Sequence, residues 1–278
     1  MLVNLNDVLI DAQRNKYGVG LFNAVNLEMA LGVLSAAEKL RSPVIVGTAE
    51  VLLPFAPLEN VADILIPMAK RAGIPVVVHY DHGLTFEKCM EALKLGFSSI
   101  MYDCSTDEYD ENIKKVAELV KIAHCFGATV EAELGHVGDN EGDGSPESFY
   151  TDPRQAADFV SKTSVDALAI AVGTAHGAYK LPPKLDFERI EKIASIIPTP
   201  LVLHGGSGLA DDDFRKAIAC GICKINIFTD INVAGAVAVK NALISGKTST
   251  TDVMNVAVDA VKAETEKKMK LFMSDGRA

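Results

Sequence analysis

The chain lacks a cationic cluster. Its 278 residues carry 27 Lys and Arg against 37 Asp and Glu, a formal charge of -10, and no basic run exceeds two residues. Neutralising a nucleic-acid backbone takes clustered Lys and Arg, so a nucleic-acid surface is excluded. Long apolar runs are missing too. Nothing approaches the roughly 20 consecutive apolar residues that cross a bilayer, and the opening "MLVNLNDVLIDAQRNK" has no basic segment followed by an apolar core. A cytoplasmic protein that handles small molecules is expected. Cysteine is scarce, at positions 89, 104, 125, 220 and 223, and an odd number in such a chain points to reduced thiols. Cys220 and Cys223 form a lone C-x-x-C. A zinc site would need a second pair and a redox site a helix N-terminus. Here "AIACGICKIN" reads as a helix leaving through Gly221 into a strand, so the pair reads as structural.

What the chain does have is 49% hydrophobic content, enough for one large core. Short, continuously apolar runs recur along its length: "VGLF" from 19, "VIV" from 44, "VVVH" from 76, "SSIM" from 98, "TVEAEL" from 129, "ALAIAV" from 167, "LVLH" from 201 and "KINI" from 224. Segments with helical spacing lie between them, several ending in Gly just before the next run, as a helix C-cap and short loop would. Strands covered on both faces need not alternate apolar and polar residues. Eight of them interleaved with helices predict a single-domain α/β fold over residues 1–278, a (β/α)8 TIM barrel. "INVAGAVAVKNALISG" and "TDVMNVAVDAVKAETEKKMKLFM" then read as two extra C-terminal helices, which either cap the barrel or offer a self-association surface.

Reacting groups in such a barrel come from the C-terminal ends of the strands. The polar residues there are Asn23 after the first run, Asp81 and His82 after the third, and Asp103 after the fourth. Glu131, Glu133 and His136 belong to the fifth, His176 follows the sixth, His204 ends the seventh, and Asn226, Thr229 and Asp230 belong to the eighth. Three of the six histidines fall at strand ends. Three imidazoles around one mouth suit zinc and leave an open position for a substrate oxygen, with Glu133 an alternate fourth ligand. His79, two residues before Asp81, reads as a supporting group one layer deeper. His124 reads as structural, and His136 is compatible with either role.

"HGGSGLADDDF" and "INIFTD" place glycines, Ser207 and Thr229 where many such barrels bind phosphate, although a Gly-Gly-Ser-Gly stretch is also an ordinary tight turn. The acidic, glycine-rich "GHVGDNEGDGSPESFYTDP" reads either as a solvated linker or as a lid that carries a carboxylate over the mouth.

The stretches "GLFNAVNLEM", "VVVHYDHG", "VEAELGHVG", "YTDPRQAADFV", "DALAIAVGTAHGAY", "LVLHGGSGL" and "GICKINIFTD", with the terminal "LFMSDGRA", resemble the class II, zinc-dependent ketose-bisphosphate aldolases. That family includes fructose-bisphosphate and tagatose-bisphosphate aldolases, and the likeness covers nearly the whole chain. It implies that His82, His176 and His204 hold Zn2+, with Glu133 at the position of a second metal mode and Asp103 near it. Asp81 would handle the proton of the substrate's C4 hydroxyl, and Glu141 would exchange the proton on the dihydroxyacetone phosphate carbon. Gly177, Gly205, Ser207, Asn226 and Thr229 would grip the phosphate, a monovalent cation (Na+ or K+) would lie near it, and Asn23 would lie near the sugar. A homodimer or homotetramer without nucleic-acid or membrane partners is expected. The expected reaction is reversible aldol cleavage of a ketose 1-phosphate or 1,6-bisphosphate to dihydroxyacetone phosphate and an aldehyde. No Schiff-base lysine ends the sixth run; the nearest, Lys180, lies beyond "GTAHGAY".

Three places depart from the family pattern. The turn after the second run reads "GTAEVLLPFAP" where Gly and Ser or Thr are common, Phe228 stands where Ala or Asp is common, and Gly206 stands where Ala is frequent. These argue against a bound second phosphate. Two competing readings are a non-catalytic companion subunit of an aldolase complex, which would have no need of an open metal site, and a zinc hydrolase on the same barrel.

Overall fold

In the computed structural model, residues 1–138, 149–177, 179 and 183–278 are described. A two-residue strand, β1 (Leu2–Val3), comes first, followed by the eight strands the apolar runs predict: β2 (Val19–Asn23), β3 (Val44–Ala49), β4 (Val76–Gly83), β5 (Ser99–Tyr102), β6 (Thr129–Leu134), β7 (Ala167–Ile170), β8 (Leu201–Leu203) and β9 (Ile222–Ile227). All pairings are parallel, and β2 with β9 and β4 with β5 close β2–β9 into a ring. β1 pairs with Val76 and Val77 at the N-terminal end of β4, below the point where β5 begins opposite His79.

Each strand is followed by a helix, α2 (Leu27–Leu40), α3 (Leu58–Arg71), α4 (Phe86–Leu95), α5 (Tyr109–Cys125), α6 (Pro153–Thr163), α7 (Phe187–Ile196), α8 (Asp211–Cys220) and α9 (Thr229–Ile244). Side chains cap many of their starts: Asn26, Thr85, Asp152 and Asp186 each accept a first-turn N–H. Gly96 and Gly221 end α4 and α8 at φ 98° and 128°, a backbone region that side chains disfavour.

Period-two alternation divides the strands between two cores. Val76, Val78 and Tyr80 of β4 join the layer beneath the helices, while Val77 points into the barrel. The helix preceding the first barrel strand, α1 (Leu5–Asn15), is an element the apolar runs did not reveal. Capped by Asn4 and Asp7, it presses Leu5, Val8, Leu9 and Ala12 against Val19, Leu21, Ile45, Val77, Ala167 and Val202. These residues stop the bottom of the barrel with hydrocarbon.

After α9 comes α10 (Thr250–Leu271), which lies along α2 and α9. It buries Val253, Val261, Met269 and Leu271, and Phe272 beyond its end packs against Phe214 of α8, the ring centroids 5.2 Å apart and the planes tilted by 54°. Packing against α2 and α9 thus covers one face of α10. Its approach to α2 is close because Gly32 has no side chain: a Cβ there would stand 2.7 Å from Val261 and 2.9 Å from the Val258 carbonyl oxygen. Gly32→Leu should cost roughly 1–3 kcal/mol by overpacking, seen as a lower denaturation midpoint with an unchanged barrel signature in circular dichroism.

Candidate active site and metal centre

The upper layers of the barrel interior are polar. A regular strand turns neighbouring side chains to opposite faces, yet Asp81 and His82 both line the cavity at the strand ends. The register explains how. Tyr80 lies opposite Ile100 and Gly83 opposite Tyr102, so β4 spends one residue more than β5 over this interval. His82 takes a left-handed φ of 44° inside that bulge, which turns its ring inward at a strain cost of order 1 kcal/mol or more.

His82, His176 and His204 meet at the mouth. Their rings lie 4.5 Å (82–204), 4.8 Å (82–176) and 5.8 Å (176–204) apart, and the three offer ligand atoms within 4.8 Å of one another. His82 Nδ1 is engaged by Asp103 at 2.7 Å and His204 Nε2 by Glu131 at 2.8 Å. The opposite nitrogens, His82 Nε2 and His204 Nδ1, together with His176 Nε2, are buried without a hydrogen-bond partner among the described residues. Buried imidazole nitrogens left bare, with carboxylates orienting two of the rings from behind, are the donor set of a metal site with an open position. The residues present thus fit zinc. Glu133 Oε2 is also unpartnered and stands 3.2 Å from His204 Nδ1, while its Oε1 accepts the Val137 N–H at 2.8 Å. His82, Asp103 and Glu133 form a second candidate ligand set.

Charge accounts for the titration of these groups. Burial disfavours an imidazolium at His204, but Glu131 and Glu133 outweigh it and push that ring up to about 10. Burial, then the His82 and His204 rings, hold His176 down at about 3. Burial and the Lys224 ammonium do the same to His79, also at about 3, whose Nδ1 meets Ser99 Oγ at 2.8 Å. That contact agrees with a supporting role one layer deeper. Burial raises Asp81, yet His82, Lys224 and His204 prevail and hold it far below the usual carboxylate range. Two amides fix it further: Asn23 Nδ2 donates to Oδ2 at 2.9 Å and Asn226 Nδ2 to Oδ1 at 3.0 Å. Asp81 is therefore ionised and aimed.

A cavity of about 330 Å³ opens over these groups. Gly177, Gly205, Ser207, Asn226 and Thr229 line it together with Asn23, Asp81, His82 and Asp103, and Ala49, Val51, Leu52 and Leu84 add an apolar part to the lining. Gly205 has φ 64°, and a Cβ on it would stand 2.3 Å from the Ala175 carbonyl oxygen. Tyr179 fastens the same two loops, its hydroxyl donating to the Gly205 carbonyl at 2.7 Å and accepting the Ala175 N–H at 2.9 Å. Ser207 Oγ accepts from the N–H groups of Phe228 and Asp230 at 3.3 and 3.4 Å, tying the glycine turn to the N-terminus of α9. A helix start and glycine backbone in the cavity lining suit an anionic group.

Each expected site residue except Glu141 thus lies at one mouth; Glu141 falls outside the described residues, as does Lys180. His136 joins them, lining the cavity with Nδ1 3.0 Å from Ser105 Oγ. His124 sits on α5 against Asp166 at 2.9 Å, away from the mouth. Two residues were missed from sequence. Tyr179 left no signal, but Lys224 did: a lysine within an otherwise apolar barrel strand requires a buried anion, and it pairs with Glu131 at 2.8 Å.

Residues 3–277 match the family model described as fructose-bisphosphate aldolase class-II. The chain is 39% identical to fructose-bisphosphate aldolase of Geobacillus stearothermophilus over 283 residues, covering 100% of this chain and 99% of that one. It is 40% identical to the uncharacterized protein YdjI of Escherichia coli K12 over 270 residues, 96% of each. The crystal structure of the YdjI aldolase superposes with a TM-score of 0.91 at 38% identity, covering both chains in full.

The left-handed Gly205 beside Ala175 gives a direct test. Gly205→Ala should destabilise by roughly 1–3 kcal/mol, the sum of backbone strain and the clash, with thermal unfolding as the measurement.

Proposed function

Because this chain belongs to the class II fructose-bisphosphate aldolase family, whose members carry out reversible aldol cleavage, we propose that it is a zinc-dependent aldolase acting on a ketose 1-phosphate to give dihydroxyacetone phosphate and an aldehyde. One observation carries the reading: three imidazole nitrogens without partners converge beside an ionised, amide-held Asp81, and His82, His176 and Asp81 line one cavity.

His82, His176 and His204 would hold the zinc, with Glu133 and Asp103 available as alternate ligands. Bound there, zinc supplies a Lewis acid that stabilises negative charge beside the substrate's C2 carbonyl. Asp81 takes the proton of the C4 hydroxyl as the C3–C4 bond breaks and the aldehyde carbonyl forms. The bonding electron pair passes to C3, which then gains a proton from Glu141. In the synthetic direction both transfers reverse. Asn23 and Asn226 keep Asp81 pointed at the hydroxyl, and Asn23 would contact the sugar. Gly177, Gly205, Ser207, Asn226 and Thr229 would bind the phosphate, with Na+ or K+ beside it. A homodimer or homotetramer is the expected assembly. No helix among the described residues is long and apolar enough to cross a membrane.

The range of substrates follows from the apolar part of the cavity lining. Ala49, Val51, Leu52 and Leu84 form it, and no Lys or Arg lines the cavity among the described residues. A second phosphate would face hydrocarbon there and gain no charge-assisted hydrogen bond. Ketose 1-phosphates should therefore be cleaved with higher kcat/KM than fructose 1,6-bisphosphate in a coupled assay of dihydroxyacetone phosphate release. A strong preference for the bisphosphate would sink this substrate assignment while leaving the aldolase reading intact.

Two variants test the division of labour. His204→Ala should lose zinc retention and cleavage together, whereas Asp81→Ala should retain zinc, measured by atomic absorption, and lose cleavage by at least about 100-fold. Near-normal turnover by Asp81→Ala would refute its role.

A further inference from the structure

Lys224 is a charged residue that the reaction as written does not use. It lies in β9 with no exposed surface, and an ammonium is costly to bury unless its donors are satisfied. It donates hydrogen bonds to Glu131 Oε1 at 3.1 Å and Asn226 Oδ1 at 2.7 Å and forms an ion pair with Glu131 Oε2 at 2.8 Å. A register shift between β8 and β9 makes room for it. Leu201 pairs with Ile222 but Val202 with Lys224, so Cys223 stays in the apolar bottom layer while Lys224 enters the polar one.

Each partner of Lys224 also contacts a residue of the candidate site. Glu131 Oε1 meets His204 Nε2 at 2.8 Å, and Asn226 Nδ2 donates to Asp81 Oδ1 at 3.0 Å. The polarity of these contacts is forced. An ammonium can only donate, so Asn226 must present its oxygen to Lys224 and is left with its NH2 group for Asp81. Glu131 takes up His204 Nε2 at 2.8 Å, so Nδ1 is the nitrogen turned toward His82, His176 and Glu133.

We propose that Lys224 is a positioning residue that couples the metal centre to the proton-transferring carboxylate. Through Glu131 it selects the His204 nitrogen offered to the metal, and through Asn226 it selects the amide orientation that holds Asp81. An apolar residue of the same length imposes neither choice. Without the ammonium, Asn226 Oδ1 loses its donor and the amide is anchored by Asp81 alone, so it no longer fixes that carboxylate.

The proposal rests on the zinc-aldolase reading above, and the experiment separates the two. Lys224→Met, Glu131→Gln and the double variant would be compared with the wild type for zinc affinity by chelator competition, for kcat and KM, and for melting temperature. Lys224→Met should weaken zinc binding by roughly 10–100-fold. It should lower kcat by more than about tenfold, with KM changed far less. In the Glu131→Gln background, where that carboxylate is already neutral, Lys224→Met should leave zinc affinity unchanged and still lower kcat, because the Asn226 route remains. The double variant removes both buried charges, so it should fold even where the single variant does not. Lower melting temperature with unchanged zinc affinity and kcat would overturn the proposal, and so would failure of both Lys224 variants to fold, which makes the residue purely structural. A wild-type protein that neither retains zinc nor cleaves ketose phosphates would instead remove the aldolase reading.

Discussion

The ion pair between Lys224 and Glu131 is the interaction on which the rest of the site depends. Both side chains lie wholly inside the barrel, at 2.8 Å, where neither charge would be tolerated alone. From Glu131 the hydrogen bonding runs to His204, and from Lys224 through Asn226 to Asp81. Glu131 is held down at about 2, since Lys224 and His204 overcome the effect of burial. A carboxylate so strongly ionised orients a ring without competing for its proton.

Around this pair the barrel is layered by polarity. Hydrocarbon from α1 and the strand starts closes the bottom, and the polar groups occupy the upper layers. Because the bottom is sealed, access to the site is through the mouth at the C-terminal ends of the strands. The cavity lining then combines glycine backbone and the start of α9 with the apolar Ala49, Val51, Leu52 and Leu84. The first group suits an anion and the second does not.

Two left-handed backbone positions lie where the candidate site residues converge. His82 adopts a left-handed backbone at the β4 bulge, and Gly205 does so where the loop after β8 touches Ala175. Strained backbone persists only where neighbours over-determine it. At Gly205 the Tyr179 hydroxyl bridges the two loops, and at His82 the Asp103 carboxylate holds the ring by Nδ1 while Ser105 N–H donates to its other oxygen at 3.1 Å. Rigid second contacts of this kind let a ligand set stay open and still hold its geometry.

Much of this was legible in the sequence. Eight apolar runs separated by helical segments determined the closed barrel, because parallel strands buried on both faces leave a continuous apolar signature. The polar residues that end those runs determined which side chains reach the mouth. Other features carried no such signature. Helix α1 precedes the repeating pattern, and Tyr179 acts through two backbone atoms that only folding brings together. Lys224 was visible but its partner was not, since Glu131 is 93 residues away in the chain. The sharpest case is Asp81 and His82. Sequence placed both at the end of one strand, yet strand periodicity sends adjacent side chains to opposite faces. Only the extra residue that β4 carries against β5, with His82 turned to positive φ, brings both into one cavity, because register between strands is settled by tertiary packing and not by either strand alone.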